Sequence, residues 1–477
     1  MFSTASSELP SISRAAGKGF FAESPRKVAV ALGRLAPRRA LALVSALAVS
    51  LFGTAAFPGT AAAAPLPCGT VITRSTTLTA DVGPCPGDGL IIGANNVVLN
   101  LNGHTLSGTG GSSGVTAGIR LPMRTGVQIL GGSAGGSKGT VTGFAAGVFL
   151  GGGSNNLVQG LTVRDNIGPT SDAPDAYLGD GIVLFRSASN RILDNLVQHN
   201  GPYDGIGVLG VPSNGNTIQN NDVTDTVGVP FNVNFTGTGI VLSSILDEGG
   251  HAILSIYDNK VQNNRVRRNT GSGVTNASNV RGVITGNVVQ DNGLAMFGTT
   301  FYYPGSGVEV RTAGTADYPD HATYVLVKDN DISHNGITGV RVYTGASNNR
   351  IEANKSFGNG TAGIHLAGES RNSQIVRNDT GYNGIVDLED DNVNYDTWEG
   401  NCDHNVWFAN TWGPPSPAFP DYPSYYPDCV TAGGSGPLPP ATPVDVSPSA
   451  ARPQPRAGSS AQGSGAPATP SRRQPAS

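Results

Sequence analysis

The chain has 477 residues, 67 of them glycine, with 13% charged and 6% aromatic side chains and a formal charge of −4. So much glycine with so little charge suits tight bends between short strands better than helices. Without residues 1–64 and 431–477, which carry more Lys and Arg than Asp and Glu, 19 basic residues face 31 acidic ones, net −12, and this argues against a nucleic-acid partner.

Residues 1–64 read as an export signal. Arg38-Arg39 leads into the apolar run LALVSALAVSLFGTAAF and then GTAAAA, a small-residue cleavage region ending near Ala64. The run is short for a membrane span and ends in alanine, so the expectation is a secreted, extracellular protein without a stable membrane anchor. Residues 65–117 read as an N-terminal cap with the first rungs of a coil, and 387–430 as a C-terminal cap. Cys68 and Cys85 lie in the first, Cys402 and Cys429 in the second. Four cysteines allow three pairings; an oxidising destination and this segregation favour two local disulfides, each holding down an open end of the coil.

Residues 118–386 repeat. GVRVYTGASNNRIEANKSFGNGTA, from Gly339, aligns with the segment from Gly363 at a period of 24 residues. Glycines at the first position of such units are Gly147, Gly181, Gly205, Gly239, Gly273, Gly307, Gly339 and Gly363, each followed by Val or Ile, at separations of 34, 24, 34, 34, 34, 32 and 24. A fixed period of this kind marks a stacked-repeat fold. Gly-Val-Arg-Val-Tyr alternates apolar and polar residues, the pattern of a short strand with positions two and four inward and three and five outward. Each unit also holds two asparagines five apart, as in Asn264/Asn269, Asn330/Asn335 and Asn354/Asn359. These are expected to stack as ladders at bends, where Asn tolerates the left-handed conformation. The fold class is therefore all-β, a single parallel β-helix of about 4.8 Å per rung, expected to be monomeric.

The G-[IV]-x-[LV] and N-x4-N rungs resemble those of the pectate-lyase-like superfamily, which implies a right-handed coil. The first rungs, Cys68 to Gly108, and the segment DLEDDNVNYDTWEGNCDHNVWFANTWG, Asp387 to Gly413, resemble secreted bacterial β-helix proteins grouped with the nitrous-oxide-reductase maturation factor. That likeness spans residues 68–430 and fixes the coil rather than an activity. It implies copper handling as one class, to which the sequence objects. Copper(I) sites favour Cys and Met, yet the cysteines read as paired, Met123 and Met296 alone remain after the lead, and no two histidines have close ligand spacing. No metal ligand is assigned. Asp172, Asp175 and Asp180 lack a recognisable calcium pattern, so no cofactor is expected.

Insertions at 167–180, 227–238 and 293–306 precede the unit glycine, and those at 243–258 and 311–324 follow the same strand, so they should wall a groove over one sheet. The groove would suit an extended chain. Its floor is the third-position column Phe149, Val183, Gly207, Val241, Thr275, Glu309, Arg341, His365 and, after His365, Asp387, with Arg311 and Tyr343 beside it at position five. Tyr177, Tyr302, Tyr303, Phe231, Phe235, Phe297 and Phe301 in the walls are candidates to stack on sugar rings. An extracellular polysaccharide is thus the expected partner. For a uronic-acid lyase or epimerase, Arg341 or Arg311 would neutralise the sugar carboxylate, and His365 oriented by Asp387, or Tyr343, would move the proton. Hydrolysis is a weaker fit: Glu309 and Asp387 would stand three rungs apart, about 14 Å, too far for a glycosidase pair unless an acid such as Asp180 joins. Structural charge pairing alone, Glu309 with Arg341 and His365 with Asp387, explains the same residues without a substrate. A non-catalytic glycan-binding, adhesive or structural module is the alternative function. Residues 431–477 are Gly, Ser, Pro and Ala-rich and read as a disordered tail.

Overall fold

A computed structural model describes residues 64–110, 116–132, 136–170, 179–229, 236–244, 255–294, 296–297, 300–301, 305–311, 323–368, 370–391, 404–413 and 430. Residues 1–63, residues 431–477 and the bodies of the five insertions lie outside this set. The chain winds through three parallel sheets of 12 strands each, so that every turn supplies one strand to each sheet and pairs with the turns before and after it. This is a parallel β-helix. No described helix is long and apolar enough to cross a membrane.

Side chains at positions two and four of the first sheet fill the interior. Val148 and Leu150, Ile206 and Val208, Val308 and Val310, and Ile364 and Leu366 are all fully buried, with Ile192, Val197, Val261 and Val266 facing them from the other two sheets. Short Val/Ile/Leu triplets, each with one inward residue, are enough because three sheets enclose one narrow core. At the N-terminal end, Cys68 and Cys85 are joined by a disulfide, Cα to Cα 5.5 Å. Cys402 and Cys429 lie outside the described residues.

The unit glycines are explained by crowding rather than by a turn. A Cβ at Gly239 would sit 2.6 Å from the Gly273 carbonyl oxygen of the next rung and 2.8 Å from Asn269 Nδ2, and Gly307 repeats the contact against Gly339 and Asn335. Neither obstacle can move without breaking the stack.

Asparagine ladders run along all three corners. At the corner between the second and third sheets, Nδ2 of each residue donates to Oδ1 of the next through Asn195, Asn221, Asn264, Asn287, Asn330, Asn354, Asn378 and Asn410, at 2.9–3.1 Å. A second row at the entry to the first sheet contains Asn269, Asn292, Asn335, Asn359 and Asn383. Here the sequence expectation needs correcting. The left-handed backbone belongs to the residue before each rung asparagine: Asp194, Asn263, Ala353 and Arg377 in one row, His334 and Tyr382 in the other. A third row, Asn156, Asn190, Asn216, Asn259 and Asn279, follows the first sheet. It gave no periodic signal because insertions such as 243–258 fall between the unit glycine and this corner.

Candidate functional site

The outer face of the first sheet carries a column in register: Phe149, Val183, Gly207, Val241, Thr275, Glu309, Arg341, His365 and Glu389. The sequence-derived column matches this order as far as His365 and departs at the last step. His365 faces Glu389, whereas Asp387 lies two residues earlier on that strand, opposite Gly363, because the last turn keeps the 24-residue period. Asp387 is buried and structural. Its Oδ1 accepts from Asn383 Nδ2 at 2.7 Å and its Oδ2 from the Gly413 N–H at 3.1 Å. Burial raises its pKa, while these hydrogen bonds pull it down. It does not orient His365.

Glu309 lies on the outer face yet is only 6% exposed. The expected pairing with Arg341 does not form; hydroxyl groups take the carboxylate instead. Ser272 donates to Oε1 at 2.8 Å, Tyr343 to Oε1 at 3.1 Å and Thr275 to Oε2 at 3.2 Å, and the Arg311 guanidinium stands 3.9 Å from Oε2. Burial, followed by the nearby Glu309 charge, pushes the Tyr343 phenol up to about 12. Tyr343 is therefore a neutral donor at ordinary pH, not a base.

Arg341 is left over by this arrangement. Its guanidinium stacks 4.5 Å from the centre of the Tyr343 ring, and its buried Nε has no hydrogen-bond partner. Among the described residues it makes no ion pair. An arginine fixed by an aromatic face, with its donors unused, can receive a carboxylate from outside.

On the next rung, His365 Nε2 lies 2.8 Å from Asp391 Oδ2, and Nδ1 lies 3.9 Å from Glu389 Oε2. With Nε2 carrying the proton toward Asp391, the Nδ1 lone pair is the basic one. Burial raises Glu389, with the His365 charge opposing it. These three residues present ligand atoms within 4.8 Å of one another, a nitrogen and oxygen set that would suit a divalent cation better than copper(I).

A second carboxyl group was hidden in the sequence. Asp180 and Asp204 both precede a unit glycine, in GDGI and YDGI, and the Asp204 N–H donates to Asp180 Oδ1 at 2.9 Å. The 24-residue frame sets one over the other, which was the available signal; reading Asp180 as part of a loop obscured it. Tyr177, Tyr302, Tyr303, Phe231 and Phe235, along with Asp172 and Asp175, lie outside the described residues. Phe297 and Phe301 belong to a small antiparallel pair, Met296–Phe297 with Thr300–Phe301.

Residues 86–245 match the family model for the right-handed beta helix region. The coil is a right-handed parallel β-helix. No curated protein matches the chain. Among solved structures, the β-helix is similar to the periplasmic alginate epimerase AlgG (12% identity, 68% of this chain and 76% of that one, TM-score 0.40). It is similar also to the A-module of the Azotobacter vinelandii mannuronan C-5 epimerase AlgE6 (18%, 72% and 85%, 0.41) and to pectate lyase Pel9A (13%, 69% and 68%, 0.36). At these values the likeness concerns the course of the β-helix backbone, and the chemistry must be argued from the side chains.

Proposed function

We propose that this β-helix is exported, binds an acidic polysaccharide along the outer face of its first sheet, and acts there as a uronate lyase or epimerase centred on Arg341. The observation that carries the reading is the unused guanidinium. Arg341 is stacked on Tyr343, makes no ion pair among the described residues, and is flanked in register by Glu309 and His365. A uronate carboxylate seated on it would lose its charge, which lowers the barrier to removing the adjacent carbon-bound proton. His365 Nδ1 takes that proton, with Asp391 holding the ring from Nε2. In elimination, the electron pair of the broken C–H bond forms the C4–C5 double bond as the C4–O bond breaks. The departing oxygen receives the Tyr343 phenol proton, which leaves its hydrogen bond to Glu309 Oε1, since a phenol held near 12 is closely matched to a sugar hydroxyl. In epimerisation, His365 keeps the proton it took, the Tyr343 phenol gives one to the opposite face of the same carbon, and no bond to oxygen breaks.

The test is a panel of polyuronates followed by ultraviolet absorbance of unsaturated products, by a reducing-end assay and by proton NMR of the ratio of C5 epimers. Wild type should give product or an altered epimer ratio. Arg341→Ala should reduce turnover by about two orders of magnitude or more, the scale of a lost charge-assisted bidentate contact. Unchanged turnover in Arg341→Ala would remove the catalytic reading, and saturable binding without any product would leave a passive glycan-binding module.

A further inference from the structure

The charges on the outer face of the first sheet are gathered at one end. From Phe149 to Thr275 the third-position column holds no ionisable residue, and from Phe185 to Ala277 the fifth-position column holds none either. Leu209 and Val241, half-buried, turn aliphatic side chains outward in this stretch. The next cation beside it is Arg186, exposed and stacked 5.0 Å from the centre of the Phe185 ring. Arg186 follows a strand five rungs from that of Arg341, about 24 Å along the coil axis.

On the other side of Arg341 the column turns acidic, with Glu389 facing His365 and Asp391 hydrogen-bonded to it. Arg311 and Arg341 thus stand against Glu309, Glu389 and Asp391, and the Arg311 guanidinium already lies 3.9 Å from Glu309. One incoming carboxylate is matched here; a second beside it is not. The five insertions that leave and rejoin the chain beside these strands supply no further cation. They hold eight acidic residues and, apart from Arg311, no Lys or Arg.

We propose that the polysaccharide taken by this face is a heteropolymer in which single uronates are separated by neutral sugars, and that an unbroken polyuronate is the poorer substrate. One uronate occupies Arg341, neutral sugars lie over Val241 and Leu209, and a further acidic residue meets a cation only at Arg186. Sugar rings present apolar C–H faces, which suit half-buried aliphatic side chains. A carboxylate over the same stretch would lose water with no cation to receive it. The inference rests on the uronate reading above and narrows its substrate.

The deciding experiment keeps the sugar constant and changes its charge. Each member of the polyuronate panel is given to the wild-type full chain intact and after half of its carboxyl groups have been reduced to primary alcohols. Per remaining uronate, kcat/KM should be about tenfold higher on the reduced polymer at about 50 mM salt, and the two should converge toward about 0.5 M, where unmatched charges are screened. Val241→Lys, which places a cation in the neutral stretch, should raise kcat/KM on the intact polymer about tenfold over Val241→Gln at low salt. Equal or faster turnover of the intact polymer at low salt overturns the spaced-uronate substrate and leaves the uronate reading standing. A preference that salt does not change, or an intact polymer no better served by Val241→Lys than by Val241→Gln, overturns it as well. No product from either form of any member overturns the uronate reading and this inference together.

Discussion

Replacing Asn330 with alanine tests whether the ladders carry the fold. Asn330 Oδ1 accepts from the Asn287 backbone N–H at 2.9 Å and from Asn287 Nδ2 at 3.0 Å, while its Nδ2 donates to the Ile284 carbonyl at 3.0 Å and to Asn354 Oδ1 at 2.9 Å. Alanine removes all four. Two of the former partners keep another bond: Asn287 Nδ2 still donates to Val261 O, and Asn354 Oδ1 still accepts from the backbone N–H of residue 330. The Asn287 N–H, in contrast, loses its acceptor in a buried corner. An orphaned buried N–H costs about 1–3 kcal/mol, and the three remaining losses about 0.5–1 kcal/mol each, for a total of about 2.5–6 kcal/mol. A water admitted to the vacated space would bring the effect to the lower end. The assay is urea unfolding of the full chain followed by circular dichroism, with Gln290→Ala, a half-buried side chain outside the ladder, as the control expected to change stability by about 0.5 kcal/mol or less. If Asn330→Ala unfolds within about 1 kcal/mol of that control, the ladder is decoration and the reasoning fails.

Gly239→Ala should destabilise by about 1–3 kcal/mol, since the added methyl meets a backbone oxygen at 2.6 Å that stacking holds in place; thermal unfolding against an exposed Gly→Ala control checks it. Asp387 has a raised folded-state pKa, so between the unfolded value and that raised value the folded chain binds more protons than the unfolded one and stability falls as pH increases. Asp387→Asn should flatten that slope in unfolding curves recorded from pH 4 to 7, whereas Asp387→Ala should destabilise at every pH. The Tyr343 phenol, held near 12, should contribute no tyrosinate absorbance at pH 10.5. Wild type and Tyr343→Phe should therefore absorb equally there, and a deficit in the variant would place the phenol in a more solvated setting.

Much of the coil was readable because it obeys one period. Val340 over Ile364 and Asn354 over Asn378 announce stacking in the residues themselves, and the floor column follows by counting. The site was less readable because its partnerships run between columns. Nothing in the spacing says that Ser272, Thr275 and Tyr343 would claim Glu309 and leave Arg341 without a partner. Counting likewise places Asp387 under Gly363, yet a carboxylate on the strand after His365 invites pairing with it. Only the direction of that side chain, inward to Asn383, shows otherwise. Asp204 went unnoticed for a related reason: as one acid before one glycine it is ordinary, and it becomes distinctive only with Asp180 one rung away.

The end of the asparagine row beside the first sheet has a consequence for assembly. An amide both gives and receives, so a file of amides has no inherent terminus, and the last one offers a ready splice to any further coil presented to it. At Asp387 the file meets a group that, when ionised, only receives. It acts as a chain stopper does in a polymerisation: the final amide of this row is consumed and no fresh donor is passed on along it.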